Sequence, residues 1–150
     1  MYEDIVVPID GSKTAKNAIK HAVEVAKGRD ATVHVIYVID DRAFVGDMDW
    51  SPVRDELMNQ AQETTREGVR MIEEYDDRNR EVDVVTMEEI REGVPHEEIL
   101  DYCEEVDADL VVMGTHGRTG LEKVALGSVT EKVLRSSKVP VLSVASGGEE

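Results

Sequence analysis

The sequence predicts a single-domain α/β protein: an open, mostly parallel five-stranded sheet with helices on both faces. Apolar runs of strand length alternate along the chain with segments whose apolar residues recur at helical spacing. The strand-length runs are nearly continuously apolar, which is typical of parallel strands covered on two faces. The chain has 150 residues and no internal repeat or linker, so one domain over 1–150, with a polar tail at 145–150, is expected.

The first strand is expected at Ile5–Ile9, an apolar run that ends in an Asp-Gly turn. Helical periodicity follows over Ser12–Lys27, with a serine as N-cap and Gly28 as the stop. Thr32–Val38 is rich in β-branched residues and is predicted to be the second strand. Residues 39–50 are polar with scattered aromatics and are predicted to form a loop.

The second helix is expected to begin at Ser51-Pro52, because serine caps helices and proline favours the first turn. It is predicted to run to about Tyr75 and to be followed by a charged connector over 76–80. Val82–Met87 is predicted to be the third strand.

The last four elements repeat the alternation of strand and helix. Pro95–Val106 and Ser128–Arg135 have helical spacing, whereas Leu110–Met113 and Val139–Val144 are strand-length apolar runs.

The composition is strongly acidic and limits the classes of partner. Asp and Glu number 33 against 17 Lys and Arg, a net charge of -16, which repels nucleic acid and anionic membranes. No apolar run approaches the roughly 20 residues that span a bilayer, and the one cysteine, Cys103, is interpreted as a core residue. A cytoplasmic location is therefore expected. Acid-rich surfaces with few lysines also resemble those of proteins from salt-loving cytoplasms, so a halophilic prokaryote is the expected source.

The segment Gly114–Lys138 departs from this charge pattern. It carries five basic and two acidic residues, a net charge of +3, which leaves -19 for the rest of the chain. An anionic ligand would be favoured there. The alternative is that these cations only stabilise the end of the last helix.

The same segment has a distinctive glycine spacing. The chain contains neither G-x-x-x-x-G-K-[ST] nor G-x-G-x-x-G, but it contains Gly114-x2-Gly117-x9-Gly127-Ser128 between the fourth strand and the last helix. Glycines let phosphate approach backbone N–H groups, and a helix N-terminus adds donors and a positive dipole end. As an alternative, the sequence Ser-Val-Thr-Glu at 128–131 is also a capping box.

This spacing and position resemble the nucleotide-binding signature of the ATP-binding branch of the universal stress protein family. The resemblance extends over nearly the whole chain and includes Pro8–Ser12, Tyr37–Asp40, Ala108–Gly114 and Val139–Val144. It implies a Rossmann-like fold similar to that of the adenine nucleotide α-hydrolases.

The resemblance also implies a set of site residues. Pro8, Ile9 and Asp10 would line the adenosine side, Val38 would meet the adenine edge through its backbone, and Met113 would pack nearby. The residues that would hold the ribose and phosphates are Gly114, Gly117, Arg118, Gly127, Ser128 and Val129. For Asp10 the alternative is an ordinary turn residue, and for Val38 it is plain strand core.

No catalytic residues and no protein metal site are predicted, because the histidines lack ligand spacing and no triad is legible. Magnesium could accompany the triphosphate.

The implied function is that of a cytosolic ATP-binding regulatory protein whose nucleotide state changes its shape or its protein partner. The resemblance further implies a homodimer formed by antiparallel pairing of Val139–Val144. Two alternatives remain open: a slow ATP-hydrolysing enzyme of the nucleotide α-hydrolase-like group, and a stress protein that acts without nucleotide. The Ser-Gly-Gly phosphate loop expected of such an enzyme after the first strand is missing from the sequence.

Overall fold

The computed structural model describes residues 1–79, 84–115 and 127–145. In this part of the chain the strands are β1 (Asp4–Pro8), β2 (Thr32–Asp40), β3 (Val85–Gly93), β4 (Leu110–Gly114) and β5 (Val141–Val144). The α-helices are α1 (Lys13–Ala26), α2 (Ser51–Asn79), α3 (Pro95–Val106) and α4 (Ser128–Ser136), and a short 3-10 helix covers Asp41–Ala43.

The strands form one parallel sheet in the order β3-β2-β1-β4-β5. From β1 the chain first adds β2 and β3 on one side, and it then crosses to the other side to add β4 and β5. The point between β1 and β4, where the direction of winding changes, is where ligands bind in open α/β sheets. The predicted fold class is confirmed.

Each face of the sheet buries its own apolar cluster, because successive strand side chains point to opposite faces. On one face Ile5, Val7 and Val35 pack with α1 and α2. On the other face Val6 and Ile36 pack with residues of α3 and α4. Strands buried on both sides explain the continuous apolar runs in the sequence.

The start and stop signals of the first helix are confirmed. The Ser12 side chain accepts a hydrogen bond from the Ala15 N–H as the N-cap, and Gly28 has φ 71°, a conformation that glycine adopts without strain.

Two predicted boundaries are wrong because charged residues were taken as the ends of elements. The third strand is β3, which ends at Gly93 and not at Met87; residues 82 and 83 of the prediction lie outside the described part of the chain. β3 is an edge strand, so its charged side chains can face solvent. The predicted connector at 76–80 is instead the end of α2 as far as Asn79.

The strands flanking the carboxyl edge also differ from the predicted bounds. β2 continues to Asp40, two residues beyond the predicted end. β5 begins only at Val141, because Pro140 has no N–H to donate and the Val139 N–H donates to the Ser137 hydroxyl.

Candidate functional site

The strand lengths leave a gap at the carboxyl edge of the sheet. The last residue of β1, Pro8, is paired with Ile36, and β2 then continues alone on that side from Tyr37 to Asp40. The gap is bounded by β2, by the turn after β1 and by the end of β4.

Val38 directs its backbone into this gap. The Thr32 N–H donates to the Glu3 carbonyl and the Ile36 carbonyl accepts from the Ile9 N–H, so even-numbered residues of β2 turn their backbone groups towards β1. Val38 is also even-numbered, and β1 has ended opposite it. Its N–H and C=O therefore provide a donor and an acceptor side by side at the gap.

The side chains of Val38, Met113 and Val129 belong to one apolar cluster. Met113 is buried in the α3/α4 cluster, and Val38 and Val129 pack against the same cluster. The Ile9 side chain lies on the opposite face, in the α1/α2 cluster. Of the predicted adenosine-side residues, Ile9 can therefore line the gap only with its backbone.

Asp10 has the turn role that the sequence analysis left as an alternative. Its Oδ1 accepts the Ser12 N–H at 2.9 Å, an Asx-type turn that leads into α1.

Gly114 is a glycine because of packing. A Cβ built on it would lie 2.5 Å from the Thr14 Oγ1 and 2.8 Å from the Thr14 carbonyl carbon. The first turn of α1 therefore rests directly on the end of β4. Sequence reasoning, which invoked phosphate access at this position, missed that contact.

The start of α4 is joined to the end of β4 by two hydrogen bonds. The Thr130 hydroxyl donates to the Gly114 carbonyl at 2.7 Å, and the Gly127 N–H donates to the Thr115 carbonyl at 2.5 Å. The predicted residues Gly127, Ser128 and Val129 are thereby brought beside the gap. Thr130 was missed as a positioning residue; its only sequence signal was its place inside the apparent capping box.

That capping box does not form. The N-cap of α4 is Gly127, Ser128 is the first helical residue and is exposed, and no side chain caps the helix. The alternative in which Ser128 serves only as a cap is wrong. The first N–H groups of α4 have no intrahelical acceptors, so they can donate to an anion.

Two predicted phosphate residues, Gly117 and Arg118, lie outside the described residues. At the far rim of the gap, Arg42 donates to both carboxylate oxygens of Asp40, at 2.9 and 2.6 Å. The hydrogen bond from Arg42 holds the pKa of Asp40 below its ordinary value. This carboxylate at the end of β2 is thus paired with a cation.

Residues 1–79, 84–115 and 127–145 contain no group of three or more His, Cys, Asp or Glu side chains placed to hold a metal ion. In the same part of the chain, none of the helices is both long and apolar enough to cross a membrane.

The fold is that of an α/β protein with a parallel sheet, and its gap lies at the carboxyl edge, where ligands bind in open sheets of this class. Residues 1–145 match the universal stress protein family, and the chain belongs to that family. The family predicted from the sequence is confirmed.

Individual relatives resemble the chain over nearly its full length. Universal stress protein MJ0531 of Methanocaldococcus jannaschii is 40% identical and is matched over 100% of this chain and 86% of its own. The structure of universal stress protein UspA from Lactobacillus plantarum is 29% identical, with a TM-score of 0.80 over 95% of this chain and 97% of that one. A universal stress protein from Archaeoglobus fulgidus, solved in complex with dAMP, is 26% identical, with a TM-score of 0.67 over 95% and 98% of the two chains.

Proposed function

We propose that this protein is a regulatory protein that binds ATP at the gap between β1, β2 and β4, and that the bound nucleotide changes its conformation or its protein partner. The observation that carries the proposal is the backbone of Val38, whose donor and acceptor point to the side of β2 on which β1 has already ended. The dAMP complex of the Archaeoglobus fulgidus relative supports an adenine nucleotide as the ligand class.

The base would be held by backbone hydrogen bonds and an apolar wall. Adenine presents a ring-nitrogen acceptor next to an amino donor, which is the complement of one residue's N–H and C=O. Met113, Val38 and Val129 supply apolar surface beside those groups. A ribose hydroxyl would reach the Asp10 carboxylate, which the turn already orients.

The phosphates would lie towards α4. The unpaired N–H groups at the start of this helix and its positive dipole end favour an anion. The segment from Gly114 to Lys138 is also the net positive part of an otherwise acidic chain. Gly117 and Arg118 belong to the proposed phosphate site by resemblance, and a magnesium ion would be bound mainly by phosphate and water.

The test of the proposal is a substitution that removes the backbone donor at Val38 but leaves the hydrogen bonds between β2 and β3 in place. Val38→Pro deletes an N–H that faces the gap, and proline is tolerated in a strand where its N–H is not part of the ladder. Val38→Ala, which keeps the N–H, is the matched control. Calorimetric titration should show ATP binding about 2- to 12-fold weaker in Val38→Pro than in Val38→Ala, since a hydrogen bond contributes about 0.5–1.5 kcal/mol.

Circular dichroism would check that both variants fold. If folded Val38→Pro binds ATP as tightly as Val38→Ala, the base is not read by this backbone. Mass spectrometry of ligand released by denaturing freshly purified protein would identify the bound nucleotide directly.

We also propose a homodimer formed through β5. This strand closes one end of the sheet, and no described strand pairs with its outer edge. The Pro140 carbonyl accepts from Val111 of β4 and the Val144 carbonyl accepts from Thr115, the residue after β4, so the odd-numbered Val141 and Ser143 turn their backbone groups outward. An unpaired edge of this kind favours pairing with a second copy.

A further inference from the structure

The loop that joins β2 to α2 presents an exposed apolar surface beside the nucleotide gap. Val45 is 68% exposed and Met48 is 66% exposed, and Val53 on the first turn of α2 is exposed as well. We call these three residues the β2–α2 surface. Isolated exposed apolar residues are common, whereas several large ones on one short segment make that segment a candidate interaction site.

Contacts of the neighbouring aromatic residues stabilise the segment that carries the β2–α2 surface. The Phe44 and Trp50 rings pack with centroids 5.6 Å apart, and the Trp50 Nε1–H donates to the Val45 carbonyl at 3.2 Å. The Arg54 guanidinium lies 4.4 Å from the Phe44 ring centroid. Phe44 also packs against the α1/α2 core. A surface organised in this way loses little conformational entropy when a partner binds.

The charges around the surface are negative. Asp47, Asp49, Asp55 and Glu56 are exposed on the same segment. The two arginines nearby are already paired, Arg42 with Asp40 and Arg54 with Glu92. Along this segment the exposed apolar side chains therefore alternate with exposed carboxylates, and both arginines of the segment are already paired.

We infer that the β2–α2 surface docks a positively charged segment of a partner protein, a segment that carries an apolar side chain between basic residues. A second copy that met this surface with its own β2–α2 surface would bring like carboxylates together, and nucleic acid or an anionic membrane has the same unfavourable sign. Met48 adds an adaptable contact that suits a weak, reversible complex.

The β2–α2 surface follows the proposed nucleotide site directly along the chain. β2 carries Val38 at the gap and leads within two residues to the paired Asp40, from which the loop begins. The docked segment would belong to the protein partner of the proposed regulatory function. This role rests on that function, although docking itself needs no nucleotide.

The probe is a short fluorescein-labelled peptide of lysine and leucine, measured by fluorescence anisotropy at an ionic strength of about 0.15 M. The matched peptide replaces each leucine with serine and keeps the charge. The test variant is Val45→Ser/Met48→Gln. The control variant is Val85→Ser/Met87→Gln, because Val85 (54% exposed) and Met87 (49% exposed) are comparable side chains on the edge strand β3.

The expected result is binding of the leucine peptide by the wild type and the control variant, and binding about tenfold weaker by Val45→Ser/Met48→Gln. Asp47→Lys should weaken it as well, whereas the serine peptide should bind poorly throughout. Equal binding by the two double variants, or equal binding of the two peptides, would overturn the inference. So would self-association of the wild type that Val45→Ser/Met48→Gln abolishes.

The same proteins titrated with ATP separate this inference from the proposed function. ATP affinity should be unchanged in Val45→Ser/Met48→Gln, since neither residue lines the gap. Loss of ATP binding by the wild type with intact peptide docking would refute only the nucleotide proposal. Intact ATP binding without peptide docking would refute only the docking surface.

Discussion

Gly114→Ala should destabilise the protein through helix α1, which is distant from Gly114 in sequence. The new Cβ would lie 2.5 Å from the Thr14 Oγ1, 2.7 Å from its Cβ and 2.8 Å from its carbonyl carbon, closer than real Cβ contacts come. A different Thr14 rotamer could move the hydroxyl, but the carbonyl carbon belongs to the backbone. The first turn of α1 therefore has to shift.

The expected loss is about 1–3 kcal/mol of unfolding free energy, the usual cost of overpacking. For a domain of this size that corresponds to a fall in Tm of about 2–12 °C. Urea and thermal unfolding followed by circular dichroism would measure both. Thr14→Ala should not restore the stability of Gly114→Ala, because it leaves the Cβ and the carbonyl carbon in place.

Gly68→Ala is the matched control. The three atoms nearest to a Cβ at Gly68 would be side-chain methyl groups of Ile9, Ile19 and Val35, at 3.3–3.4 Å, and these can shift more easily than backbone. Alanine also favours a helix over glycine by about 1 kcal/mol, so this variant should be as stable as the wild type or more stable. Wild-type stability in Gly114→Ala would show that α1 does not rest on β4 as described.

Four further outcomes are expected. Ser143→Pro, which removes an outward N–H and spares the ladder with β4, should convert a homodimer to a monomer in light scattering at physiological or higher salt, whereas Ser143→Ala should not. Tm should rise as salt is added, because the Debye length of about 30 Å at 0.01 M leaves a net charge of -16 poorly screened; a Tm indifferent to salt would contradict a halophilic origin. Gly117→Val should abolish ATP binding in calorimetry without unfolding the chain, and Arg118→Ala should weaken ATP more than adenosine. Cys103 is buried, so its thiol should react with a thiol reagent at neutral pH only as fast as the chain opens. Burial also raises the pKa of this thiol to about 11, so the stability that this shift contributes should be lost as pH rises from about 9 towards 11.

Local signals explain which elements the sequence predicted well. α3 was predicted with the observed bounds, Pro95–Val106, because a proline marks its first turn and its apolar residues keep helical spacing. β3 was misjudged because its solvated side chains look like the end of a strand, and only the strand order shows that it is an edge. The order of strands depends on pairing between distant segments, which hydrophobic periodicity does not encode.

In the candidate site, too, local features could be predicted from the sequence and long-range contacts could not. The positions of Gly127 and Ser128 beside the end of β4 follow from a short motif. The contact between Gly114 and Thr14 joins residues 100 positions apart and leaves no pattern in either neighbourhood. The role proposed for Val38 has no side-chain signature at all, because it depends on where β1 ends and on which way the backbone turns.

The groups proposed to bind the base belong to the main chain. The site therefore depends on Val38 being at an even-numbered position of β2, where backbone groups point towards β1. Replacing Val38 with another residue that keeps its N–H would leave the donor and acceptor in place. Inserting one residue between Ile36 and Val38 would instead turn that pair of groups towards β3. Odd-numbered residues of β2 face that way, as does the carbonyl of Ala31, just before the strand, which accepts from Val85. In this strand a change of length by one residue is thus more damaging than a change of side chain, and an alignment that ignores gaps in β2 would overlook the loss of the site.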